Sequence, residues 1–278
     1  MKYLIALITL IFIGCSSGGS SSEAPNDAID SKKIKEPSGL LVSKKYDNIL
    51  WTHNDSGDDA YIYAIDARTL ELVEKVEVKK ADNVDWEDIS YFGDLIAIGD
   101  FGNNESDRDD LTLYIIKEPN PDGDGDIKIT QEVEFIFSDQ KDYSKKHNNF
   151  DCEALFSYHE SLFMLSKHQE DSETTLYKLS IDEGIADKVM DYNLGAQVTA
   201  ADSDGEQIVI LTKEALYLLV PTGVNDNIFD GTIYKKELNL GQIEGVAFDN
   251  KVIKIINEDS DVYEYSIQSI KDTPPIQI

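Results

Sequence analysis

Three observations predict an all-β fold built as a β-propeller of four-stranded blades. Helical periodicity is nearly absent after residue 30 of the 278-residue chain, and short β-branched and aromatic runs alternate with Asp, Asn, Gly and Ser. A four-strand pattern recurs five times at intervals of 45 to 66 residues. Such a sheet buries both of its faces only when neighbouring blades close into a ring. Five blades therefore account for residues 31–278, and six blades are the alternative.

The repeats are numbered here as units 1 to 5, and each has three recurring columns. The first column opens the innermost strand and holds Ser38, Glu87, Glu153, Thr199 and Glu244. The second column is the polar end of the next strand and holds His53, Asp100, Lys167, Lys213 and Asn257. The third column is an apolar residue followed by tyrosine, at Tyr63, Tyr114, Tyr177, Tyr217 and Tyr263. A more polar outer strand follows in most units.

Ring closure requires a strand from elsewhere in the chain. Unit 5 has only a short remainder after its third strand, and Pro274 and Pro275 are unsuited to a central strand because proline lacks the N–H donor. The sequence therefore predicts that the segment around Ile29–Lys35 adds an outer strand to unit 5.

The first two columns are predicted to meet at one mouth of the central channel. Candidate ligand-binding residues there are His53, Asn54, Asp100, Arg108, Lys167 and Lys213. Candidate metal ligands are Glu87, Glu153, Glu244 and Asn257. Several carboxylates around one axis require compensation when they are removed from water. A divalent cation such as Ca²⁺, ion pairs with the nearby basic side chains, or backbone amides and water would each provide it.

Four features that resemble functional motifs are predicted to be structural. The Asp-Gly alternation of 121–127 lacks the Gly and Glu spacing of an EF-hand loop and indicates a hairpin turn. The four histidines lack zinc-site spacing. Trp51 and Trp86 are expected in the core between blades. Cys152 lies between two acidic residues, which raise the pKa of a thiol and do not activate it.

The N-terminus has the organisation of an export signal. Lys2 precedes an apolar run that is too short to span a bilayer, and the run ends in the sequence FIGC. This ending resembles the lipobox of bacterial lipoproteins, which implies a signal peptide over 1–14, lipid attachment to Cys15 and a flexible Ser/Gly tether over 15–30. An ordinary cleaved signal is the alternative. The expected location is the bacterial cell envelope outside the cytoplasm, at the outer membrane or cell surface.

The charge balance limits the partners. The chain has 54 acidic and 25 basic residues, for a net charge of −29. This field repels phosphate backbones, so nucleic acid is excluded as a partner.

Units 1 and 2 carry a set of motifs in a fixed order, namely WTHNDSG (51–57), DWED (85–88), GDFGNN (99–104), Arg108 and Glu118-Pro119. Together these motifs resemble a family of secreted bacterial β-propeller proteins, which is largely uncharacterised. Unit 5 contains the elements EG (244–245) and NED (257–259), which more loosely resemble the SdiA-regulated and gluconolactonase-like propellers. The second resemblance implies a divalent metal on the axis that supports ester or lactone hydrolysis, held by Glu87, Glu153 or Glu244 with Asn257 and Asp100.

The sequence thus favours a lipid-anchored propeller that binds a small ligand, a cation or an envelope protein at the polar channel mouth. A metal-dependent hydrolase of lactones, esters or phosphoesters is the alternative, and a scaffold for other envelope proteins is a third possibility. Whether the protein is an enzyme stays open at this point.

Overall fold

The computed structural model describes residues 27–29, 34–123, 125–143, 149–169, 171–223 and 225–276. The predicted signal peptide, Cys15 and most of the predicted tether lie outside these residues. Within the described ranges, no helix has the length and apolar character needed to cross a bilayer.

The strands confirm the all-β propeller prediction and group into five antiparallel units. A short strand, β1 (Asp27–Ala28), precedes them. Unit 1 contains β2 (Pro37–Val42), β3 (Ile49–Asn54), β4 (Tyr61–Asp66) and β5 (Leu72–Lys79). Unit 2 contains β6 (Trp86–Phe92), β7 (Leu95–Asp100), β8 (Thr112–Lys117) and β9 (Asp126–Glu134), and β10 (Ile136–Phe137) follows it. Unit 3 contains β11 (Cys152–Tyr158), β12 (Ser161–Ser166), β13 (Glu173–Ser180) and β14 (Ile185–Asn193).

The last two units complete the ring. Unit 4 contains β15 (Val198–Ser203), β16 (Ile208–Thr212), β17 (Ala215–Pro221) and β18 (Gly231–Glu237). Unit 5 contains β19 (Ile243–Asp249), β20 (Val252–Asn257) and β21 (Asp261–Ser266), and the chain ends in helix α1 (Ile267–Lys271) and β22 (Pro275–Ile276). The inner strands β2, β6, β11, β15 and β19 contact one another in that cyclic order. They therefore surround a central channel.

Three pairings join the units at their outer edges. Strand β5 pairs in parallel with β9, which fuses units 1 and 2 into one eight-stranded sheet. Strand β10 pairs in parallel with β14 and carries the chain from unit 2 onto unit 3. Strand β22 pairs with β18 of unit 4. These pairings cover edges that would otherwise expose backbone hydrogen-bonding groups.

The N-terminal segment pairs with unit 5, as the sequence predicts, but the strand lies at Asp27–Ala28, before the predicted Ile29–Lys35, and residues 30–33 of that segment lie outside the described residues. Strand β1 pairs antiparallel with β21, with Asp27 opposite Val262. The amide of Ile29 then donates to the carbonyl of Ser260 at 2.8 Å. The side chain of Ile29 is buried and packs between units 5 and 1. The first and last parts of the described chain are thereby held together.

Five buried apolar clusters hold the units together, and each is built mainly from two neighbouring units. Trp51 and Trp86 both lie fully buried in the cluster between units 1 and 2, as predicted. The Asp-Gly segment around Pro121–Gly123 is a turn between β8 and β9, also as predicted.

A buried carboxyl group links units 1 and 2. Glu118, immediately after β8, accepts hydrogen bonds from Trp51 Nε1 at 3.0 Å and from the Tyr91 hydroxyl at 2.8 Å. The hydroxyl of Ser43 also donates to Glu118. These contacts give the Glu-Pro motif a structural role, because one side chain satisfies buried donors from both units.

We expect Glu118→Gln to lower the free energy of unfolding by about 1–3 kcal/mol, because the amide leaves buried donors imperfectly paired. Urea denaturation followed by tryptophan fluorescence measures this loss. Glu134→Gln, which changes an exposed residue of β9, is the matched control and should have little effect. Equal midpoints for the two variants would contradict the proposed link.

Candidate functional site

A β-bulge lies near the start of every inner strand, at the predicted polar mouth. In units 2 to 5 the unpaired residue is Glu87, Glu153, Thr199 or Glu244. In unit 1 the irregularity lies between Ser38 and Leu41 and contains Gly39, whose φ is +63°. A bulge redirects a side chain that regular alternation would point elsewhere. The first column therefore marks the bulged residue of each inner strand in units 2 to 5. In unit 1, Gly39 lies near the position that the sequence assigned to Ser38.

The pairing register changes the second column in two units. The residues paired at the mouth are His53, Asp100, Ser166, Thr212 and Asn257. Lys167 and Lys213 follow one residue later, after β12 and β16 have ended. The two lysines therefore extend from loops at the mouth and are not equivalent to His53.

The mouth gathers acidic side chains from units 1, 2 and 3. Ligand atoms of Asp55, Asp85 and Glu87 all lie within 4.8 Å of one another. The same limit holds for Glu87, Asp151 and Glu153. Glu87 belongs to both groups and is only 7% exposed. We call these five residues the mouth cluster.

The backbone at Gly102 packs directly against the mouth cluster. A Cβ atom at this position would lie 2.2 Å from Glu87 Oε1 and 2.3 Å from Asp85 Oδ2. Only glycine allows the loop after β7 to approach the two carboxylates this closely. The amide of Gly102 also donates to the carbonyl of Asp85 at 3.1 Å.

Lys167 offsets the negative charge of Asp151 and Glu153, the two mouth-cluster residues of the unit 3 side. The ammonium group of Lys167 forms an ion pair with Glu153 and lies 3.6 Å from Asp151 Oδ2. Asp151 also accepts from the Asn103 amide at 2.8 Å and from Gln169 Nε2 at 2.8 Å. Within the described part of the chain, no hydrogen bond reaches the Glu87 carboxylate. Compensation is thus concentrated on Asp151 and Glu153.

The pKa values reflect this uneven compensation. Burial raises the pKa of Glu87 well above its usual range, and the charges of Glu153 and Asp55 raise it further. Burial raises the pKa of Asp85 to about 6, with contributions from Asp55 and Asp151. Burial lowers the pKa of Lys167, but its carboxylate neighbours outweigh this effect and the net shift is upward. The lysine is therefore charged, and a proton or a cation is favoured near Glu87.

The buried Asp100 and the half-buried Arg108 form an ion pair that supports the loop containing Gly102. Arg108 donates to Asp100 Oδ1 at 3.1 Å and to the Gly102 carbonyl at 2.9 Å. Asp100 also accepts from the backbone amide of Asp85 at 2.9 Å. Asp100 and Arg108 were both predicted to bind ligand. Their contacts instead hold the backbone of Asp85 and Gly102 beside the mouth cluster.

His53 and Asn54 lie below the mouth surface. His53 is fully buried, and its ring packs edge-on against the Trp86 ring, with the two ring centroids 5.6 Å apart. Burial lowers its pKa to about 4, so the neutral ring donates from Nδ1 to the Asn54 carbonyl at 3.0 Å. Asn54 Nδ2 donates to Asp58 Oδ2 at 2.7 Å and thereby braces the hairpin that follows. His53 Nε2 and Asn54 Oδ1 are buried without a hydrogen-bond partner among the described residues, so ligand binding by these two residues stays a prediction.

The remaining candidates lie on the unit 4 and unit 5 side. Asn257 uses its side chain to cap local backbone, donating to the Leu240 carbonyl and accepting from the Asp261 amide. Lys213 is exposed. Glu244 is half-buried, and burial together with the nearby Glu258 charge raises its pKa to about 7. Glu244 is thus part of the mouth, but it is absent from both close carboxylate groups.

Three members of the mouth cluster were not among the predicted site residues, namely Asp55, Asp85 and Asp151. A fourth column could have found two of them. A polar residue precedes each inner strand at Glu36, Asp85, Asp151, Gln197 and Gln242, and in every unit its carbonyl accepts a backbone amide from the loop after the second strand. The sequence signal is an Asp or Gln two residues before the first column in units 2 to 5.

Cys152 is buried beside the mouth cluster and has the inert character that the sequence predicts. Burial raises the pKa of its thiol well above the usual value, and the charges of Asp151 and Glu153 add to the shift. A thiol in this environment is a poor nucleophile.

The comparisons with known proteins show the fold alone. No protein-family model matches the sequence, and no curated protein matches it. The structure is similar to the PQQ-bound form of an aldose sugar dehydrogenase from Streptomyces coelicolor, with a TM-score of 0.55 and 11% identity over 88% of this chain and 96% of that chain. It is also similar to the allergen Mala s 1 of Malassezia sympodialis, with a TM-score of 0.55 and 10% identity over 84% and 94% of the two chains. Glutaminyl cyclase of Myxococcus xanthus gives a TM-score of 0.53 and 8% identity over 88% and 94%. At these identities the neighbours agree with the propeller fold and establish no activity for this chain.

Proposed function

We propose that the protein is an extracytoplasmic propeller that binds a divalent cation at the polar mouth of its channel. The observation that carries the proposal is the position of Glu87. The residue is 7% exposed, its carboxylate belongs to both close acidic groups, and no described residue donates a hydrogen bond to that carboxylate. A buried anion in this situation is costly unless a cation or a proton accompanies it.

The spacing of the oxygen atoms suits calcium. Calcium binds oxygen at about 2.3–2.6 Å, so two oxygens on one ion lie at most about 5 Å apart. The 4.8 Å limit within Asp55, Asp85 and Glu87 meets this condition. The donor set is all oxygen, which favours Ca²⁺ over transition metals. The group that includes Glu153 is less suitable because Lys167 already occupies that carboxylate.

Calcium titration of chelator-treated protein by calorimetry tests the proposal. We expect the unaltered protein to bind Ca²⁺ and Glu87→Gln to bind it about tenfold more weakly or worse, since a central charged ligand becomes neutral. Asp59→Asn removes one exposed charge from the nearby hairpin and is the matched control, with unchanged affinity expected. Absence of calcium binding by folded protein, or equal affinities for Glu87→Gln and the control, would overturn the proposal.

The raised pKa values predict the pH dependence of stability. In the cation-free protein, Asp85 has a folded pKa of about 6 against about 4 in an unfolded chain. Its stabilising contribution is therefore complete below about pH 4 and is lost as the pH rises through about 6. Calcium competes with the proton, so the increase in melting temperature on adding Ca²⁺ should be larger at pH 8 than at pH 5. A shift that is equal at both values, or larger at pH 5, would contradict the assignment.

A metal-dependent hydrolase is the second candidate, and one observation favours it. Glu244 lies at the same mouth, and its pKa of about 7 suits proton transfer near neutral pH. In this version the cation would polarise a lactone or ester carbonyl and Glu244 would act as the base. Hydrolysis of simple lactones and esters with and without calcium separates this candidate from binding alone, because cation binding without turnover rejects it.

We also propose that Cys15 carries a lipid that holds the propeller at the envelope membrane, on the evidence of the FIGC sequence and the polar segment that follows it. Fractionation of a bacterial host that expresses the full chain tests this anchor. Cys15→Ser should move the protein from the membrane to the soluble fraction. Unchanged membrane association of this variant would reject lipid anchoring as its cause.

A further inference from the structure

A large cavity lies at the other end of the channel from the mouth cluster. It is formed where the inner strands end, its volume is about 820 Å³, and all five units contribute to its lining. The size is within the range of small-molecule sites, which is about 300–1,000 Å³. We call it the distal cavity.

The distal cavity has aromatic walls. Tyr91 and Phe248 are 5% and 9% exposed and line it from units 2 and 5, and Phe92 lies beside Tyr91. The Tyr91 hydroxyl is fixed by Glu118 at 2.8 Å and by the Lys44 amide at 2.7 Å. The Tyr91 ring is therefore held in one orientation and offers a preformed surface for a ligand.

Carboxylates outnumber cations around these walls. Asp202, Asp204, Asp249 and Glu160 line the cavity, whereas Lys44 is its single lysine. Asp202 is held in place because its Oδ2 accepts the Phe248 amide at 2.8 Å across the seam between units 4 and 5. An anion held beside an aromatic wall provides both the charge and the surface that an organic cation needs.

Lys44 indicates where such a cation would sit. Its ammonium group lies 4.1 Å from the centroid of the Tyr91 ring. Burial raises the pKa of Asp202 to about 7, and the charge of Lys44 acts against this rise. An ammonium group over the Tyr91 ring is thus already accommodated, on an exposed and long side chain that can move away.

We propose that the distal cavity is a second binding site, separate from the mouth cluster, and that it takes a small ligand with an ammonium group and an aromatic or aliphatic body. Asp202 pairs with the ammonium group, and Tyr91 and Phe248 contact the body. Lys44 occupies the site in the absence of ligand and must be displaced. The proposal does not depend on calcium binding at the opposite mouth.

Binding of benzylamine, measured by protein-observed NMR titration in calcium-free buffer, tests the site, with benzyl alcohol and benzoate as neutral and anionic comparisons. We expect benzylamine to bind more tightly than either and to shift signals of residues at the ends of the inner strands. Asp202→Asn keeps the acceptor for the Phe248 amide and should weaken benzylamine binding about tenfold. Lys44→Met removes the competing ammonium group and should strengthen it.

Glu134→Gln is the charge-matched control for Asp202→Asn and should leave benzylamine binding unchanged, since this residue lies on the outer strand β9. Melting temperatures confirm that each variant is folded. Equal binding of benzyl alcohol and benzylamine, tighter binding of benzoate, or weaker benzylamine binding in Lys44→Met would each overturn the proposal. Failure of benzylamine to bind the unaltered, folded protein would overturn it as well.

Discussion

The propeller depends on one buried carboxyl group within its channel. Asp88 is completely buried, and its oxygens accept backbone amides from Ile89 at 2.9 Å, Leu155 at 2.8 Å and Ala201 at 3.3 Å. A single side chain of unit 2 thereby joins the inner strands of units 2, 3 and 4. Burial raises the pKa of Asp88 well above its usual range, and the three amide donors act against that shift. The bulge at Glu87 allows two successive side chains to face their neighbours: Glu87 reaches the mouth cluster and Asp88 reaches the strands across the channel.

At the other boundaries between units, polar or backbone contacts also lie near the channel axis, and apolar packing lies outside them. Ser38 donates to the Glu87 carbonyl at 2.7 Å between units 1 and 2. Between units 5 and 1 the backbones approach so closely that a Cβ at Gly245 would lie 2.9 Å from the carbonyl carbon of Gly39. Because the inner strands are fixed in this way, both ends of the channel present side chains at defined separations. The mouth cluster and the distal cavity are consequences of the same closure.

Sequence reasoning predicted the fold well because the strand pattern and the tyrosine column repeat with the units. It found Glu87 and Glu153 for the same reason. It misplaced Lys167, because a bulge and a strand end shift the register by one residue without changing the pattern of polar and apolar residues. Asp88 belongs to no repeated polar column, since units 3 to 5 have Ala or Gly at the corresponding position. The distal cavity was also missed, because its lining comes from strand ends and turns that resemble ordinary hairpins until the ring brings them together.

The proposed cation would stabilise the ionised form of Glu87, which burial otherwise disfavours. Lys167 cannot stabilise that form alone, because its ammonium group already serves Glu153 and Asp151. The most direct measurement is a crystal structure of the protein grown with calcium, with an anomalous difference map of the channel mouth. We expect a peak about 2.3–2.6 Å from oxygens of Asp55, Asp85 and Glu87. A map with no peak at saturating calcium, with Glu87 hydrogen-bonded to protein or water instead, would contradict it.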